Sequence, residues 1–415
     1  MMESIANSTR ADLLDCFQMA LRAVNGRDGV RAYFSKQVNL PRKKLAMVAI
    51  GKASVAMAEG AIDVLGPQIG QGLVITKTGY AGQSIHFHPD VELIESAHPV
   101  PDARSLAAGQ RLIGFLQALA DDIPVLFLIS GGSSALVEVL PDGIDLADLQ
   151  IINTRMLAAG LSIEEMNRVR KAISLIKGGR LLNYLGERRV MNLLLSDVPD
   201  NDPAVISSGL LIKTEQELSL PENLPDEIEM ILSKFNANET TINRQATVET
   251  VIIADNQTAC EAAAECARLQ GYPVEVHPEF LSDDVNPVAE HIIKQLRHAK
   301  PGIHIWGGEP TVCLPEETGR GGRNQQLALL LACRIQQMDN LHILVAATDG
   351  SDGPGDDAGG LVNGQTIMRG ENEGFNAKAC IQEANAGAFL EASGDLISTG
   401  PTGSNVMDLI IVCKT

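Results

Sequence analysis

Short apolar runs recur along this chain, and most of them stop at a glycine or a serine. Residues 45–50, 124–129, 190–195 and 341–347 are such runs. They are too short for buried helices, and they suit strands covered on both faces, as in a parallel sheet. Residues 72–76, 248–254, 304–306 and 409–413 read as further strands. Between them, 104–119 and 258–269 place apolar residues at helical spacing. Strands alternating with helices give βαβ units, so the chain reads as doubly wound α/β. Aromatics are only 3% while glycines number 38, so Ala, Val, Ile and Leu must build the core and glycine the loops.

A chain of 415 residues exceeds what one core normally serves. The pattern weakens over 212–245, where Pro221, Pro225 and the polar stretch 236–243 interrupt it. We place a linker there, with domains at 1–245 and 246–415. Two such α/β domains would face each other across a cleft.

The net charge is −19, from 33 basic and 52 acidic residues. That excludes general nucleic-acid binding, which needs basic groups against phosphates. It leaves anionic small molecules open, because local cations can override the global field. The seven cysteines are scattered and form no CxxC, the pattern of reduced thiols in a cytoplasmic protein. No apolar run approaches a membrane span, and residues 1–10 carry no leader signal, so no membrane partner is expected.

The chemistry gathers where strands end. Gly51-Lys52-Ala53-Ser54 puts glycine and a cation at a strand-to-helix turn, suited to an anion or, equally, to a tight turn with a surface lysine. Ser130-Gly131-Gly132-Ser133-Ser134 offers more donors than a helix cap needs, which favours an anion site. Asp197 ends the 190–195 strand, where a carboxylate can hold Mg2+ or cap a helix. Arg168-Val169-Arg170-Lys171 and Lys177-Gly178-Gly179-Arg180 form a basic stretch able to meet phosphate or to stay solvated.

In the second half, Gly307-Gly308-Glu309 follows a strand, and Gly321-Gly322-Arg323 opens a helix with an arginine suited to carboxylate or phosphate. Asp349 directly follows the 341–347 strand and is the stronger site candidate in an acidic loop. Thr399-Gly400-Pro401-Thr402-Gly403 is a further glycine and hydroxyl loop suited to phosphate. No G-x-G-x-x-G occurs, which removes support for a dinucleotide enzyme. His86, His88 and His98 read as loop or structural residues rather than zinc ligands.

Taken in order, these segments, together with His98-Pro99-Val100-Pro101-Asp102, resemble the glycerate 2-kinase family that carries a C-terminal MOFRL domain. The resemblance runs from about Leu45 to about Leu409. It implies a Rossmann-like N-terminal α/β/α domain and a smaller MOFRL-type domain with a mixed sheet. It also implies ATP-dependent phosphorylation of D-glycerate at its 2-hydroxyl, with Mg2+, in the interdomain cleft. Lys52 and Arg323 match the residues held to be catalytic, and Asp197 or Asp349 would hold Mg2+ or take the hydroxyl proton. Nucleotide contacts are expected from Ser130, Gly131, Gly132, Ser133, Ser134, Gly308, Glu309, Thr402 and Gly403. A homo-oligomer is compatible with the resemblance. An NAD(P)H-dependent hydroxypyruvate reductase and a non-catalytic nucleotide or metabolite sensor are the alternatives. The chain departs from the family pattern at Ala172, Asp200-Asn201-Asp202 and Leu210.

Overall fold

The computed structural model describes residues 2–37, 43–81, 89–213, 220–234, 246–315 and 317–415. The chain forms two compact units, Gly29–Ile253 and Met1–Asp28 with Ala254–Thr415. The boundary read at 245/246 compares with a unit edge at 253/254, and the first 28 residues group with the second half. His86, His88 and the 236–243 stretch lie outside the described residues.

Among the described residues of the Gly29–Ile253 unit, six strands form one sheet: β1 (Leu45–Ile50), β2 (Ile69–Lys77), β3 (Val91–Ser96), β4 (Val125–Ile129), β5 (Arg189–Leu195) and β6 (Thr247–Ala254). Their order is β3-β2-β1-β4-β5-β6, and β1 to β5 run parallel. Every residue of β1 and β4 is buried, which is why both read as unbroken apolar runs. This is the Rossmann strand order, with its reversal between β1 and β4, where ligands bind in open α/β sheets.

The strand read at 248–254 belongs to this sheet, not to a second-half sheet. Its Thr247 N–H donates to the Arg188 carbonyl at 3.2 Å, and the Asn192 amide reaches the Thr250 hydroxyl at 3.3 Å. Strand β6 is a half-exposed edge, and its own residues do not specify which sheet it extends. Strand β3 was missed because it, too, is half exposed and carries two glutamates.

The other unit holds a second sheet: β7 (Val274–Val276), β8 (Gly302–Gly308), β9 (Leu341–Ala347), β10 (Gly359–Asn363), β11 (Leu396–Ile397) and β12 (Asp408–Lys414). The order is β11-β10-β9-β12-β8-β7. Strand β12 lies antiparallel between β9 and β8, while β7 and β8 are parallel, so the sheet is mixed. The helix Met2–Ala23 joins this unit: Tyr272 donates its hydroxyl to Asp12 at 2.6 Å, and Arg10 pairs with Asp395 at 3.0 Å. Among the described residues no helix is long and apolar enough to cross a membrane.

Candidate active site

The first cluster lies at the strand-order reversal, where the turns after β1 and β4 are knitted together. The Lys52 N–H donates to the Gly131 carbonyl at 3.0 Å, and the Ala53 N–H to Ser130 Oγ at 3.0 Å. Ser133 Oγ donates to the carbonyls of Ile50 and Ser130. Gly51 has φ +131°, and a Cβ there would stand 2.1 Å from Ser130 Oγ, so only glycine lets the loops approach this closely.

This corrects one expectation. The Ser133 hydroxyl is buried and donates within this lattice, so it is not a spare donor for an anion, while the buried Ser130 Oγ serves as acceptor for Ala53. Ser134 Oγ is 2.8 Å from Ser208 Oγ. What remains toward a ligand is backbone at Gly131 and Gly132, ahead of the first helical bonds from Ala135 and Leu136 to Gly132.

Gly132 takes φ +86°, and a Cβ there would meet the His98 ring at 3.0 Å and Lys52 Cγ at 3.3 Å. Lys52 and His98 therefore flank the same glycine, both half-buried. His98 is the residue that sequence reasoning set aside as structural. Its signal was the His-Pro-Val-Pro-Asp segment, whose Asp102 caps the next helix. Beside them opens a pocket of about 170 Å³, lined in part by His98, Gly132, Ser134, Glu138, Arg170 and Lys177. That is well below the roughly 300–1,000 Å³ of a drug-sized site and suits a very small molecule.

The basic stretch divides. Lys177 is buried against Glu138, which also accepts from Ser174 Oγ at 2.6 Å. Arg180 is buried and donates to the carbonyls of Lys171 and Ser174. Lys171 Nζ donates to the Ala204 carbonyl at 3.0 Å. These three are structural cations rather than phosphate contacts. Arg170 lines the pocket, with its Nε on Asn153 Oδ1 at 3.2 Å. Of the departures, Leu210 is absorbed into the core. Asp197, half-buried, follows β5 next to β4 in the sheet. Ser207 and Ser208 hold left-handed backbone (φ 54° and 57°) beside the β4 turn, a strain of order 1–3 kcal/mol each.

The second cluster is in the other unit, at the edge where β8 and β9 end and β12 begins. Arg323 opens the helix Arg323–Arg334. It donates Nε and Nη2 to Asp408 at 2.8 and 3.3 Å, and Nη1 reaches Glu309 at 3.0 Å. Burial works against its charge, but Asp408 and Glu309 outweigh that and hold its pKa above the ordinary value. Arg323 is thus a fork already gripped by two carboxylates, and Glu309 is its partner rather than an independent phosphate contact. Asp408, fully buried, was missed by sequence; the signal is a lone carboxylate opening an apolar strand, which must find a cation.

Asp352 accepts the N–H groups of Asn324 and Gln325 at 3.1 and 2.8 Å. Burial pushes its carboxyl up to about 7, and nearby Asp408 adds to the rise against those N–H bonds. Asp349 is buried and accepts the Ser351 N–H at 2.9 Å. Thr402 Oγ1 donates to the Thr348 carbonyl at 2.5 Å, and the Gly403 carbonyl accepts from Gly26. These bonds anchor the 399–405 loop, so the Thr402 hydroxyl is spent on the fold. The fully buried Gly308 ends β8 just before Glu309. Mg2+ is ordinarily held by one or two carboxylates plus phosphate oxygens. Asp197, just after β5, and Asp349, just after β9 in the other unit, are each a single carboxylate of that kind.

Two family models match the sequence: the domain of unknown function DUF4147 over residues 12–240 and the MOFRL family over 302–408. A D-glycerate 2-kinase of Thermotoga maritima is 35% identical over 90% of this chain and 91% of its own length. The chain belongs to the glycerate 2-kinase family. The crystal structure of a glycerate kinase from Thermotoga maritima superimposes with a TM-score of 0.81 at 32% identity, covering 99% of this chain and all of that one. A relative from Agrobacterium vitis, 33% identical over 93% of this chain and 91% of its own length, is provisionally named a hydroxypyruvate reductase. The glycerate 2-kinase family therefore spans both clusters, the first inside the DUF4147 match and Arg323 and Asp349 inside the MOFRL match.

Proposed function

We propose that this chain transfers the γ-phosphoryl group of ATP to the 2-hydroxyl of D-glycerate, giving 2-phosphoglycerate and ADP. The observation that carries the proposal is the place of Lys52, at the strand-order reversal, against Gly132 and beside a small pocket lined by Arg170. Phosphoryl transfer needs positioning and charge neutralisation rather than a covalent partner. Lys52 would neutralise the transferring group, Arg170 would take the glycerate carboxylate, and Asp197 would accept the hydroxyl proton as the oxygen attacks phosphorus. Taken by itself, the other unit offers Arg323, gripped by Asp408, for phosphate oxygens and Asp349 for Mg2+. The ion, when bound, shields charge on the phosphates.

The name of the Agrobacterium relative makes hydroxypyruvate reduction the second reading. Dinucleotide sites cradle pyrophosphate on N–H groups after the first strand. Here the N–H groups of Lys52 and Ala53 are taken by Gly131 and Ser130, which disfavours that reading. Two assays on the same preparation separate the readings. ADP release with ATP and D-glycerate, with a product that enolase consumes directly, supports the kinase. NADH oxidation by hydroxypyruvate without ADP release overturns it. A product that needs a mutase before enolase acts overturns the 2-position.

A further inference from the structure

Away from both clusters, the β7–β8 edge brings together side chains the kinase reading does not use. Glu275 stands opposite His304 in the parallel register, and His277 follows two residues after Glu275. All three therefore emerge on one face of the sheet. His277 Nε2 is 3.3 Å from His304 Nδ1, and Glu275 Oε2 is 3.5 Å from the same Nδ1. The ligand atoms of the three lie within 4.8 Å of one another.

Each ring has an acceptor behind it, and for His304 a hydrogen bond to that acceptor fixes the proton. His304 Nε2 faces the Lys300 carbonyl at 2.9 Å, so that nitrogen carries the proton and Nδ1 is left with a lone pair. His277 Nδ1 faces Glu279 Oε1 at 3.8 Å, a carboxylate behind an imidazole. Glu279 is itself held by Trp306 Nε1 at 3.3 Å and Gln295 Nε2 at 2.9 Å. The His277 ring stacks on Trp306 at 3.9 Å, which locks its orientation. Each histidine thus turns one nitrogen to an acceptor behind it and the other to a shared point that a carboxylate oxygen also faces. Carboxylate or carbonyl partners behind the ring are what orient metal-bound histidines.

We propose that Glu275, His277 and His304 bind one zinc-type divalent cation, with water as the fourth ligand. Zinc–nitrogen bonds of about 2.0–2.1 Å at a tetrahedral centre put two nitrogens about 3.3–3.4 Å apart, and the imidazoles already stand at that spacing. Two imidazoles and a carboxylate select a borderline transition metal over Mg2+. The ion pins β7, an edge strand of three residues, to β8.

The test is metal binding by the full chain without an affinity tag, after dialysis against a chelator. Calorimetric titration with Zn2+ should give one ion per chain, and Co2+ should give the visible bands of a tetrahedral site. His277→Gln and Glu275→Gln should each weaken binding at least tenfold, while Cys313→Ser, at the exposed cysteine, should not. Zn2+ should raise the melting temperature of the wild type and not of Glu275→Gln. Glu275 is exposed, so that variant keeps the test open should His277→Gln misfold. A chain that binds no Zn2+ stoichiometrically, as when a shared proton replaces the ion, overturns the proposal. So does binding untouched by Glu275→Gln and His277→Gln.

Discussion

At Lys52, local constraint and proposed chemistry meet. Its N–H is spent on Gly131 and its stem lies against Gly132, so the ammonium is carried on a rigid turn. Lys52→Ala should lower kcat by roughly a thousandfold, about 4 kcal/mol, while the melting temperature stays put. Steady-state kinetics beside a thermal melt checks both halves, and wild-type turnover in the variant removes Lys52 from the mechanism. Asp352 is a residue of a different kind. Its carboxyl sits up at about 7, chiefly through burial, where an unfolded aspartate lies near 3.8. Between those values the folded chain holds a proton the unfolded chain has released. Its contribution to stability is therefore full below about pH 4 and is lost as pH rises through about 7. Urea unfolding from pH 5 to 8 should show the wild type losing more stability on the way up than Asp352→Asn. Parallel pH slopes for the two chains would contradict the raised carboxyl.

At the scale of elements, the turns after β1 and β4 are joined by hydroxyl and N–H bonds, whereas the serines alone favour an anion. A serine at a strand end reads the same whether it faces an anion or a neighbouring carbonyl. The distinction depends on how closely two loops approach, and the constraint at Gly51 becomes visible only once Ser130 is beside it. The segment after the helix Ile163–Ala172 teaches the same lesson, since Lys177 reads as a phosphate contact or a solvated lysine and is buried on Glu138. Lys177→Met should destabilise the Gly29–Ile253 unit by about 3–5 kcal/mol, because it leaves Glu138 buried and uncompensated. Denaturant unfolding decides this: a lysine that only met phosphate would lose activity with stability intact.

Over the whole molecule, the acidic balance of −19 coexists with cations gathered at Lys52 and Arg170 and with Arg323 gripped by carboxylates. Global charge thus describes the surface and not the sites. The seven cysteines are all free; Cys313 is exposed, Cys333 is half-buried and the others are buried. Thiol titration without reductant should find seven groups in denaturant and one fast group in the native chain. Fewer than seven in denaturant would mean disulfides that this fold does not contain.

The sequence by itself determined the strands buried on both faces, the glycine turns that end them, the α/β class and the family. These are properties of neighbouring residues: an unbroken apolar run is buried wherever it lies, and a glycine turn is local. Tertiary structure alone decided that β6 extends the first sheet, that residues 1–28 join the second half, and that His98 comes to Lys52. It also decided that Asp408 grips Arg323 and that His277 meets His304. The physical reason is that half-exposed edges, single buried charges and paired rings are satisfied by partners far away in the chain. Their side-chain chemistry says that a partner is needed, and only the packed sheet says which one it is.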